Sequence, residues 1–483
     1  MADEVELKLE LSRDAAEKVE SSELLGGAPQ KIKQFAIYFD TPDQHLAKAG
    51  FSLRIRRSGK KRIQTIKADG MKAAGLFVRP EWERPVDDDT PILDEKSPLA
   101  AFLGDDVAAI APVFEVKVHR ALWVVAEGEA IIEVVLDRGE VVAADRRSEI
   151  CEIELELKSG DRAALFDLAR KIDGVAEFRL GVSSKAERGY RLIGRHADMV
   201  KAAPVMLTGD MTAIQAFQAI LQSCVRQFRL NETLLLADSN PGALHQARVA
   251  LRRLRSAVTI FKPIIGDDGA EIRENLRWLA SELAPARDLD VLLERAGAGS
   301  LHDSIAAARD DAYDRASDAL STLRGRRLMF DLVAWQACGG WAGSSGGACD
   351  GNQPATEFAA AALDRFRRRV KRRGRDIERA DDDARHELRK SAKKLRYASE
   401  FFSSLFDGKR ERRRYKRFVS MMKELQDQLG ALNDLATAPD ILARLDMTDH
   451  PEARDVLAGG DKKKLLEAAA EAHEDLLDVK RFW

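Results

Sequence analysis

The chain has 483 residues, 45% of them hydrophobic, and its 78 Lys and Arg residues nearly balance its 80 Asp and Glu residues. This composition is typical of a soluble globular chain with about two to four domains. It excludes a transmembrane protein, because no apolar run approaches the ~18–20 residues that span a bilayer. The near-zero net charge hides local runs of one sign, which carry the functional information.

The first residues and the cysteines bear on the cellular compartment. The N-terminus, Met1-Ala2-Asp3-Glu4, has neither a basic nor an apolar region, so we expect no signal peptide. The four cysteines, which form no C-x-x-C pair, are Cys151, Cys224, Cys338 and Cys349. We expect reduced thiols in a cytoplasmic protein. Cys338 and Cys349 bracket a Gly/Ser stretch, so a disulfide between them is the alternative in an oxidising compartment.

Residues up to about 195 mainly predict strands. Period-two alternation is clearest in the segments 5–10, 51–56, 62–67 and 152–158. Turn signals punctuate this half at Asp69-Gly70, Glu127-Gly128 and Ser159-Gly160. Two helices are also predicted, one after the N-cap candidate Ser12 and one over residues 163–172 after Asp161. This half therefore predicts an antiparallel β structure with helical decoration.

Charged side chains on these strands share faces, because residues two apart on a strand point the same way. Acidic side chains dominate two segments, with Glu4 and Glu6 in the first and Glu152 and Glu154 in the second, whereas a third segment carries Arg54 and Arg56. A half-exposed sheet with its polar face in water is the ordinary explanation for any one strand. Here, however, acidic and basic side chains lie on different strands, which favours a shared charged interior. Such an interior needs a ligand, because unpaired buried charge is costly.

Phosphoryl transfer is the chemistry that suits such an interior. Paired carboxylates are the hard oxygen ligands that Mg²⁺ and Mn²⁺ prefer. Guanidinium and ammonium groups neutralise the remaining phosphate charge, Arg by bidentate contact. Catalysis then requires positioning, metal charge and an aligned water.

The motifs of this half resemble the CYTH superfamily, the triphosphate tunnel metalloenzymes. The motif Glu4-x-Glu6-x-Lys8 opens the chain, and further matches follow in the family's order. They are Tyr38-Phe39-Asp40-Thr41, Leu53-Arg54-Ile55-Arg56, Thr65-x-Lys67, Arg79-Pro80-Glu81, Arg120, Leu136-Asp137-x-Gly139-Glu140, Cys151-Glu152-Ile153-Glu154-Leu155-Glu156 and Ser184-Lys185-Ala186-x-Arg188-Gly189-Tyr190. A lone E-x-E-x-K is a weak signal, but seven further motifs, together with the single residue Arg120, in register across residues 4–190 are a strong one.

The resemblance implies an eight-stranded antiparallel tunnel that binds triphosphate groups with divalent metal, Mg²⁺ or Mn²⁺. The implied ligands of the metal and the attacking water are Glu4, Glu6, Asp137, Glu152 and Glu154. The implied phosphate clamp is Lys8, Arg54, Arg56, Lys67, Arg79, Arg120 and Lys185. Strict alternation, however, puts Arg120 on the face of Val116 and Val118, opposite Lys117. Either a bulge rotates this strand or Lys117 replaces Arg120 in the lumen, and we favour Arg120.

Beyond about Thr208 the hydrophobic period becomes helical. Residues 196–207, with Pro204, are predicted as a linker between a domain over residues 1–195 and a helical domain over residues 208–483. The Gly/Ser-rich residues 339–347 form a second flexible stretch inside the helical half.

The helical half contains an internal repeat. His245-x-x-Arg248-x-x-x-Arg252-Arg253-Leu254-Arg255 returns as His386-x-x-Arg389-x-x-x-Lys393-Lys394-Leu395-Arg396. The register continues to Phe261 and Phe402, and a second pair follows in Arg287-Asp288 and Asn433-Asp434. A duplicated helical unit explains this pattern, with repeats over about residues 208–335 and 355–475. We therefore predict two similar helix bundles, making the whole chain an α+β multidomain protein.

The repeated residues form basic stripes on their helices. The stripes consist of His245, Arg248, Arg252 and Arg255 in one copy and His386, Arg389, Lys393 and Arg396 in the other. A solvated surface helix is the ordinary explanation for either copy alone. Two stripes in register with few acidic partners favour a polyanion. These residues resemble the CHAD domain, the conserved histidine α-helical domain, which implies two pseudo-symmetric four-helix bundles that bind polyphosphate in a basic groove and have no catalytic role.

The two resemblances together lead to an inorganic triphosphatase whose helical domain binds polyphosphate, in the cytoplasm or at polyphosphate granules. Open alternatives are a hydrolase or cyclase of an organic triphosphate, such as thiamine triphosphate or ATP, and a non-catalytic polyphosphate scaffold. A metal site at His245 or His386 is disfavoured, because neither has a second His or Cys at ligand spacing. Nucleic acid is disfavoured because no aromatic stacking row accompanies the basic residues.

Overall fold

The computed structural model describes residues 4–68, 74–94, 97–194, 198–339, 350–457 and 461–483, without the side chains of residues 4, 78, 79, 101, 105, 455 and 456. The Asp69-Gly70 turn, Cys349 and most of the Gly/Ser stretch predicted above therefore lie outside the described residues. The chain forms two units. The first comprises Met1–Asp198 and Met329–Gly339, and the second Met199–Leu328 and Gly340–Trp483.

An antiparallel sheet forms the first unit. Its strands among the described residues are β1 Glu4–Leu11, β2 Gln30–Asp40, β3 Phe51–Ser58, β4 Lys61–Ala68, β5 Leu76–Arg79, β6 Glu81–Pro85, β7 Ala111–Glu127, β8 Ala130–Ala143, β9 Arg146–Ser159 and β10 Phe178–Leu180. Their order is β10-β1-β9-β8-β7-β2-β3-β4-β6, and β5 pairs with β1. The prediction of an antiparallel β half is confirmed.

Pro80 explains why the described sheet has ten strands where the resemblance implies eight. Proline has no N–H and interrupts a strand ladder, so one extended segment becomes β5 and β6 on either side of it. The first part pairs with β1 and the second with β4. This segment thus connects the two sides of the curled sheet. The remaining extra strand, β10, has only three residues and pairs with the end of β1.

Five helices belong to this part of the chain. They are α1 Arg13–Ser21, α2 His45–Lys48, α3 Ala100–Leu103, α4 Ala163–Val175 and α5 Lys185–Ile193. Ser12 caps α1 by accepting a hydrogen bond from the amide of Ala15, as predicted. The Asp161 carboxylate accepts one from the amide of Ala163 at 2.7 Å, at the start of α4.

Helix α5 closes one end of the space inside the sheet. A capping box of Ser184 and Glu187 fixes its first turn. Gly189 lets the helix approach Phe114 of β7, because a Cβ there would lie 2.2 Å from the ring. The Tyr190 hydroxyl donates to Asp40 at 2.8 Å. Beneath the helix lies an apolar cluster of Ala36, Tyr38, Phe114, Val116, Val118, Val141, Ala143, Ile150 and Ala186.

A segment from far along the chain completes the first unit. Residues Met329–Gly339 lie in the second half of a helix of the helical region. Phe330 is 1% exposed, and its ring centroid lies 5.7 Å from that of Phe166 and 5.4 Å from that of Phe178. Asp331 accepts a hydrogen bond from Arg170 at 2.7 Å. The first unit therefore includes residues that the sequence assigns to the helical domain.

The second unit is all-helical in its described part. Its elements are α6 Ala213–Ala237, α7 Pro241–Ile260, α8 Lys262–Ile265, α9 Ala270–Glu282, α10 Ala284–Leu293, α11 Ser300–Ser321, the first residues of α12 Leu323–Cys338, α13 Ala355–Arg373, α14 Asp382–Phe402, α15 Lys409–Arg444, α16 Ala453–Leu457 and α17 Lys462–Asp478. The rest of α12, from Met329, belongs to the first unit. The predicted helical half is confirmed. No described helix is long and apolar enough to cross a membrane.

The internal repeat is visible in the packing. Helix α6 packs on α7 as α13 packs on α14, and α7 also packs on α14. The rings of Phe217, Phe261, Phe358 and Phe402 lie in one cluster, with Phe261 directly after α7 and the others on α6, α13 and α14. The ring centroids of the equivalent residues Phe261 and Phe402 are 6.0 Å apart. The copies differ at Leu283, where the first copy breaks into α9 and α10 while α15 runs on continuously.

Residues 198–207 of the predicted linker contain no helix or strand, and its first residues lie outside the described part. They are nonetheless fixed to the second unit. The amide and carbonyl of Val200 bond to Asn231 at 2.9 and 2.8 Å. The amide of Leu207 donates to Ser404 at 2.8 Å.

Candidate active site and basic groove

One cavity inside the curled sheet collects most of the residues that the motifs single out. Its volume is about 320 Å³. It is lined by Glu6, Lys8, Tyr38, Ala47, Phe51, Ser52, Arg54, Arg56, Thr65, Lys67, Glu81, Glu83, Arg120, Glu133, Val135, Glu154, Glu156, Lys158, Ser184, Lys185, Ala186, Glu187 and Tyr190. Asp137 and Glu152 are fully buried behind this lining. The side chains of Glu4 and Arg79 lie outside the described residues.

Three carboxylates form the acidic side of the site. Asp137 of β8 and Glu152 of β9 are direct register partners, and Glu154 follows two residues later on the same face. One oxygen from each lies within 4.8 Å of the other two, the only such group among the described residues. The buried Oε2 of Glu152 accepts no hydrogen bond from the described residues. A hard divalent cation fits this all-oxygen donor set.

Three cationic side chains lie against these carboxylates. The Lys185 Nζ is 2.8 Å from Asp137 Oδ2, 2.6 Å from Glu152 Oε1 and 2.8 Å from Glu154 Oε1. The Lys8 Nζ donates to Glu152 at 2.9 Å and also contacts Glu154. Arg120 makes a bidentate contact with Asp137 at 2.8 and 2.7 Å. The acidic strands and the basic side chains therefore meet as their patterns indicate.

Burial and charge act in opposite directions on these groups. Burial alone would lower the pKa of Lys185, but Asp137, Glu152 and Glu154 outweigh it and raise that pKa well above its ordinary value. Burial likewise opposes ionisation of Glu154, yet Lys185, Lys8 and Arg120 hold its pKa well below the ordinary value. The pKa values of Asp137 and Glu152 are lowered for the same reason. All these groups are therefore charged at neutral pH.

The opposite wall carries arginine and lysine held by neighbouring polar groups. Arg54 and Arg56 lie on the inner face of β3, and Arg54 donates to the Tyr38 hydroxyl at 3.4 Å. Arg56 contacts the Glu83 carboxylate at 3.2 Å. Lys67 of β4 lies 3.0 Å from Glu81. These partners orient the cations while leaving them on the cavity surface.

Arg120 lies in the cavity without any bulge. The register from Glu115 to Glu127 along β7 and β8 is unbroken, and Arg120 shares a face with the buried Val116 and Val118. Helix α5 covers that part of the inner face, so valines and arginine can share it. Lys117 lies on the other face with half of its side chain exposed. The structure thus places Arg120, rather than Lys117, beside the carboxylates.

Several cavity residues are not among the predicted metal ligands or the predicted phosphate clamp. Glu81 and Tyr38 stood inside quoted motifs, but their contacts with Lys67 and Arg54 depend on strand pairing. Glu83 is two residues beyond Glu81, so strand alternation could have found it. The carboxylates of Glu133 and Glu156 face each other on β8 and β9, and the same alternation from Asp137 and Glu154 could have found both.

A second set of cations lies where helices α7 and α14 pack. Burial and like charge lower the pKa of Lys393 to about 7, and the neighbouring charges are Arg389, Arg252 and Arg248. Burial lowers the pKa of Arg248 to about 10 and that of His245 to about 4. Arg252 donates to the Tyr397 hydroxyl at 3.3 Å. Arg248, Arg252, Arg389 and Lys393, drawn from both repeats, thus lie close together, with Asp288 and Asp434 beside them, and we call this cluster the basic groove.

The other stripe residues have different surroundings. Arg396 pairs with Glu400 at 2.7 Å on its own helix and also donates to Gln426. Arg255 is exposed, and its pKa is lowered by partial desolvation of its guanidinium by surrounding residues and by the nearby Arg277. The His386 Nδ1 lies 3.0 Å from the amide oxygen of Asn433, which connects the two repeated motifs of that copy. The stripe predicted from helix spacing is therefore only partly one surface.

Comparison with known families matches both halves. A CYTH domain model matches residues 2–190, and a CHAD domain model matches residues 219–443. An inorganic triphosphatase of Haemophilus influenzae is 32% identical over 204 residues, which are 40% of this chain and 55% of that protein. An uncharacterised protein of Mycobacterium tuberculosis is 26% identical over 420 residues, 75% of each chain. The chain thus spans about half the length of the Haemophilus protein.

Solved structures resemble each half separately. The CHAD domain from the plant Ricinus communis is 30% identical, covers 59% of this chain and 98% of its own, and has a TM-score of 0.49. A putative adenylyl cyclase from Hippeastrum, described as having a dominant triphosphatase activity, is 23% identical. It covers 38% of this chain and 93% of its own, with a TM-score of 0.30.

Proposed function

Because the chain joins a CYTH domain over residues 2–190 to a CHAD domain over residues 219–443, we propose that it hydrolyses inorganic triphosphate to pyrophosphate and phosphate. The observation that carries the proposal is a single cavity in which a carboxylate trio faces a wall of cationic side chains. A pure anion-binding site would gain nothing from the carboxylates. The name of the Haemophilus relative supports the choice of inorganic triphosphate.

The cationic wall would bind and orient the phosphate chain. Arg54 and Arg56 present guanidinium groups suited to bidentate contact with phosphate oxygens. Lys67 adds a mobile ammonium, and Arg120 lies between this wall and the carboxylates. Since these charges stand in a largely buried cavity, they act more strongly on the transition state than they would in water. Arg79 is proposed to join them from its position in the motif.

The carboxylates would hold the divalent cation and orient the attacking water. Asp137, Glu152 and Glu154, with Glu6 and Glu4 nearby on β1, are proposed to hold Mg²⁺ or Mn²⁺. A divalent cation bound there would polarise phosphoryl oxygens and a water molecule. The low pKa of Glu154 keeps that carboxylate ionised and able to orient a water proton. Helix α5 excludes bulk water from one end of the cavity.

The helical domain, residues 208–483, is proposed to bind polyphosphate in the basic groove. Arg248, Arg252, Arg389 and Lys393 gather there beside Asp288 and Asp434. The pKa of Lys393 is still lowered to about 7, by burial and by its cationic neighbours, so a polyanion would relieve the remaining repulsion. His245, Arg255, His386 and Arg396 are proposed to extend this surface. Among the described residues, the only group of three carboxylates close enough to hold a metal ion lies in the cavity and not in the groove. We expect the protein in the cytoplasm, where binding of polyphosphate would associate it with polyphosphate granules.

Phosphate release from equal concentrations of triphosphate, pyrophosphate, long-chain polyphosphate, ATP and thiamine triphosphate tests the proposal directly. Each reaction is run with Mg²⁺, with Mn²⁺ and with EDTA. Fast metal-dependent cleavage of triphosphate is expected. Preference for an organic triphosphate would support the cavity as the active site but change the proposed substrate. If no compound is hydrolysed, the alternative is a polyphosphate-binding scaffold without catalytic activity.

A further inference from the structure

The ammonium of Lys185 lies at the centre of the carboxylate trio. Its three contacts are 2.8 Å to Asp137, 2.6 Å to Glu152 and 2.8 Å to Glu154. These residues are also the only three among the described residues whose oxygens lie close enough together to hold a metal ion. A cation held by all three carboxylates would have to lie where the ammonium lies.

Two cations cannot share this position. Mg²⁺ lies about 2.0–2.1 Å from its oxygen ligands, so the ion and the ammonium would be only about 3 Å apart or less. The repulsion between them is large at that distance in a buried site. A divalent cation can therefore take all three carboxylates only if the Lys185 ammonium moves away.

The side chain can move although its helix is fixed. Helix α5 is held by the Ser184 capping box, by the Tyr190 bond to Asp40 and by the ion pair of Arg188 with Glu10 at 2.7 Å. Lysine has four flexible methylene groups. Lys185 also lines the cavity, as do Arg54 and Arg120. A displaced ammonium therefore has the phosphate-binding space directly beside it.

Lys8 occupies a different position in the same cluster. Its ammonium contacts Glu152 and Glu154 and lies 3.6 Å from Glu6. No contact with Asp137 is present. Lys8 shares the Oε1 atoms of Glu152 and Glu154 with Lys185 but reaches them from β1. A cation held by the trio would therefore weaken these two contacts without taking the position of the Lys8 ammonium, which keeps the Glu6 carboxylate beside it.

We propose that Lys185 is an exchange residue: its ammonium and a divalent cation hold the carboxylate trio alternately, and the displaced ammonium binds a phosphate oxygen of the substrate. This inference deepens the proposed function and rests on it for the identity of the substrate. Metal binding and phosphate binding would then be coupled, because occupation of the trio releases one more cation into the phosphate site.

Lysine footprinting on the full-length wild-type chain tests the exchange without any turnover. Amine acetylation is measured by mass spectrometry at Lys185 and Lys8, with and without saturating Mn²⁺. Lys185 is expected to be protected without Mn²⁺ and to become reactive with it, while Lys8 stays protected. Unchanged reactivity of Lys185, or no binding of Mn²⁺, would overturn the exchange.

A binding titration gives the second measurement. The variant Lys185→Met should bind Mn²⁺ on the order of tenfold or more tightly than wild type in the absence of substrate. The matched control is Lys67→Met, which removes a cavity ammonium that contacts Glu81 at 3.0 Å and should change Mn²⁺ affinity little. An equal gain in both variants would indicate a general charge effect and contradict the exchange. Failure to hydrolyse triphosphate would remove the proposed function but leave both readouts intact.

Discussion

The cavity of the first unit and the groove of the second both concentrate lysine and arginine, but the pKa values of their buried lysines are shifted in opposite directions. In the cavity, carboxylates raise the pKa of the buried Lys185 well above its ordinary value. In the groove, burial and neighbouring arginines lower the pKa of Lys393 to about 7. The cavity is thus balanced internally and can align a metal and a phosphate. In the groove, Asp288 and Asp434 offset the cations only in part, since the pKa of Lys393 is lowered, and this remaining positive charge is the basis of the proposed polyanion binding.

The largest effect is expected where this internal balance is removed. Glu152 is fully buried and contacts Lys8 and Lys185 at 2.9 and 2.6 Å. Glu152→Gln should lower kcat for triphosphate on the order of 10²–10³-fold, because an aligned charged group is lost from the site. Glu140→Gln, which alters an exposed ion pair with Arg147, is the control. Steady-state phosphate release measures both, and near-normal turnover of Glu152→Gln would contradict the assignment.

A smaller loss is expected on the opposite wall. Arg56→Ala should raise KM and lower kcat together, by about 10–100-fold in kcat/KM, since its charge binds the transition state more strongly than the substrate. Arg57 provides a matched control on the same strand, because it points to the other face and pairs with Asp89. Equal kinetics for Arg56→Ala and Arg57→Ala would show that the inner face of β3 does not bind substrate.

Charge reversal in the groove tests its role in binding. The double variant Arg248→Glu with Arg389→Glu should weaken long-chain polyphosphate binding about tenfold or more and reduce its salt dependence. The control reverses Arg410 and Arg413, which are exposed at the start of α15. Fluorescence titration over a range of salt concentrations distinguishes the two. Equal weakening in both would indicate diffuse attraction to the helical domain instead of a groove.

The smallest effect concerns pH. With a pKa of about 7, Lys393 is charged at pH 6 and mostly neutral at pH 8, so polyphosphate affinity should fall a few-fold over this range. The groups that face it are Arg389, Arg252, Asp434 and Arg248, and His245, with a pKa of about 4, stays neutral throughout. Lys393→Met should bind with little pH dependence, and an unchanged pH profile would remove Lys393 from the groove.

Much of the cavity could be predicted because strand alternation is strictly local. Glu6 with Lys8, Arg54 with Arg56, and Glu152 with Glu154 each share a face once the strand is recognised. The position of Arg120 could not be derived in this way. Its face also carries Val116 and Val118, and only the packing of helix α5 against that face explains how valine and arginine can share it.

Contacts between distant segments were the least predictable part. The ammonium of Lys185 reaches three carboxylates because α5 begins beside β8 and β9, which no spacing in the sequence specifies. In the helical half, the repeat identified Phe261 and Phe402 as equivalent positions, but not that their ring centroids lie 6.0 Å apart. The pair of Arg396 with Glu400 is different, because residues four apart on one helix are neighbours and the spacing alone could have indicated it.

The packing of Phe330 against Phe166 and Phe178 also sets the timing of assembly on the ribosome. The first unit is continuous to Asp198 but needs residues up to Gly339, a further 141 residues (339 − 198). At about 5–20 residues per second, the synthesis of Gly339 follows that of Asp198 by roughly 7–28 s. A nascent chain would thus have one apolar surface of the first unit uncovered while most of the first helical repeat is made. In a chain ending at residue 198, that surface would stay uncovered.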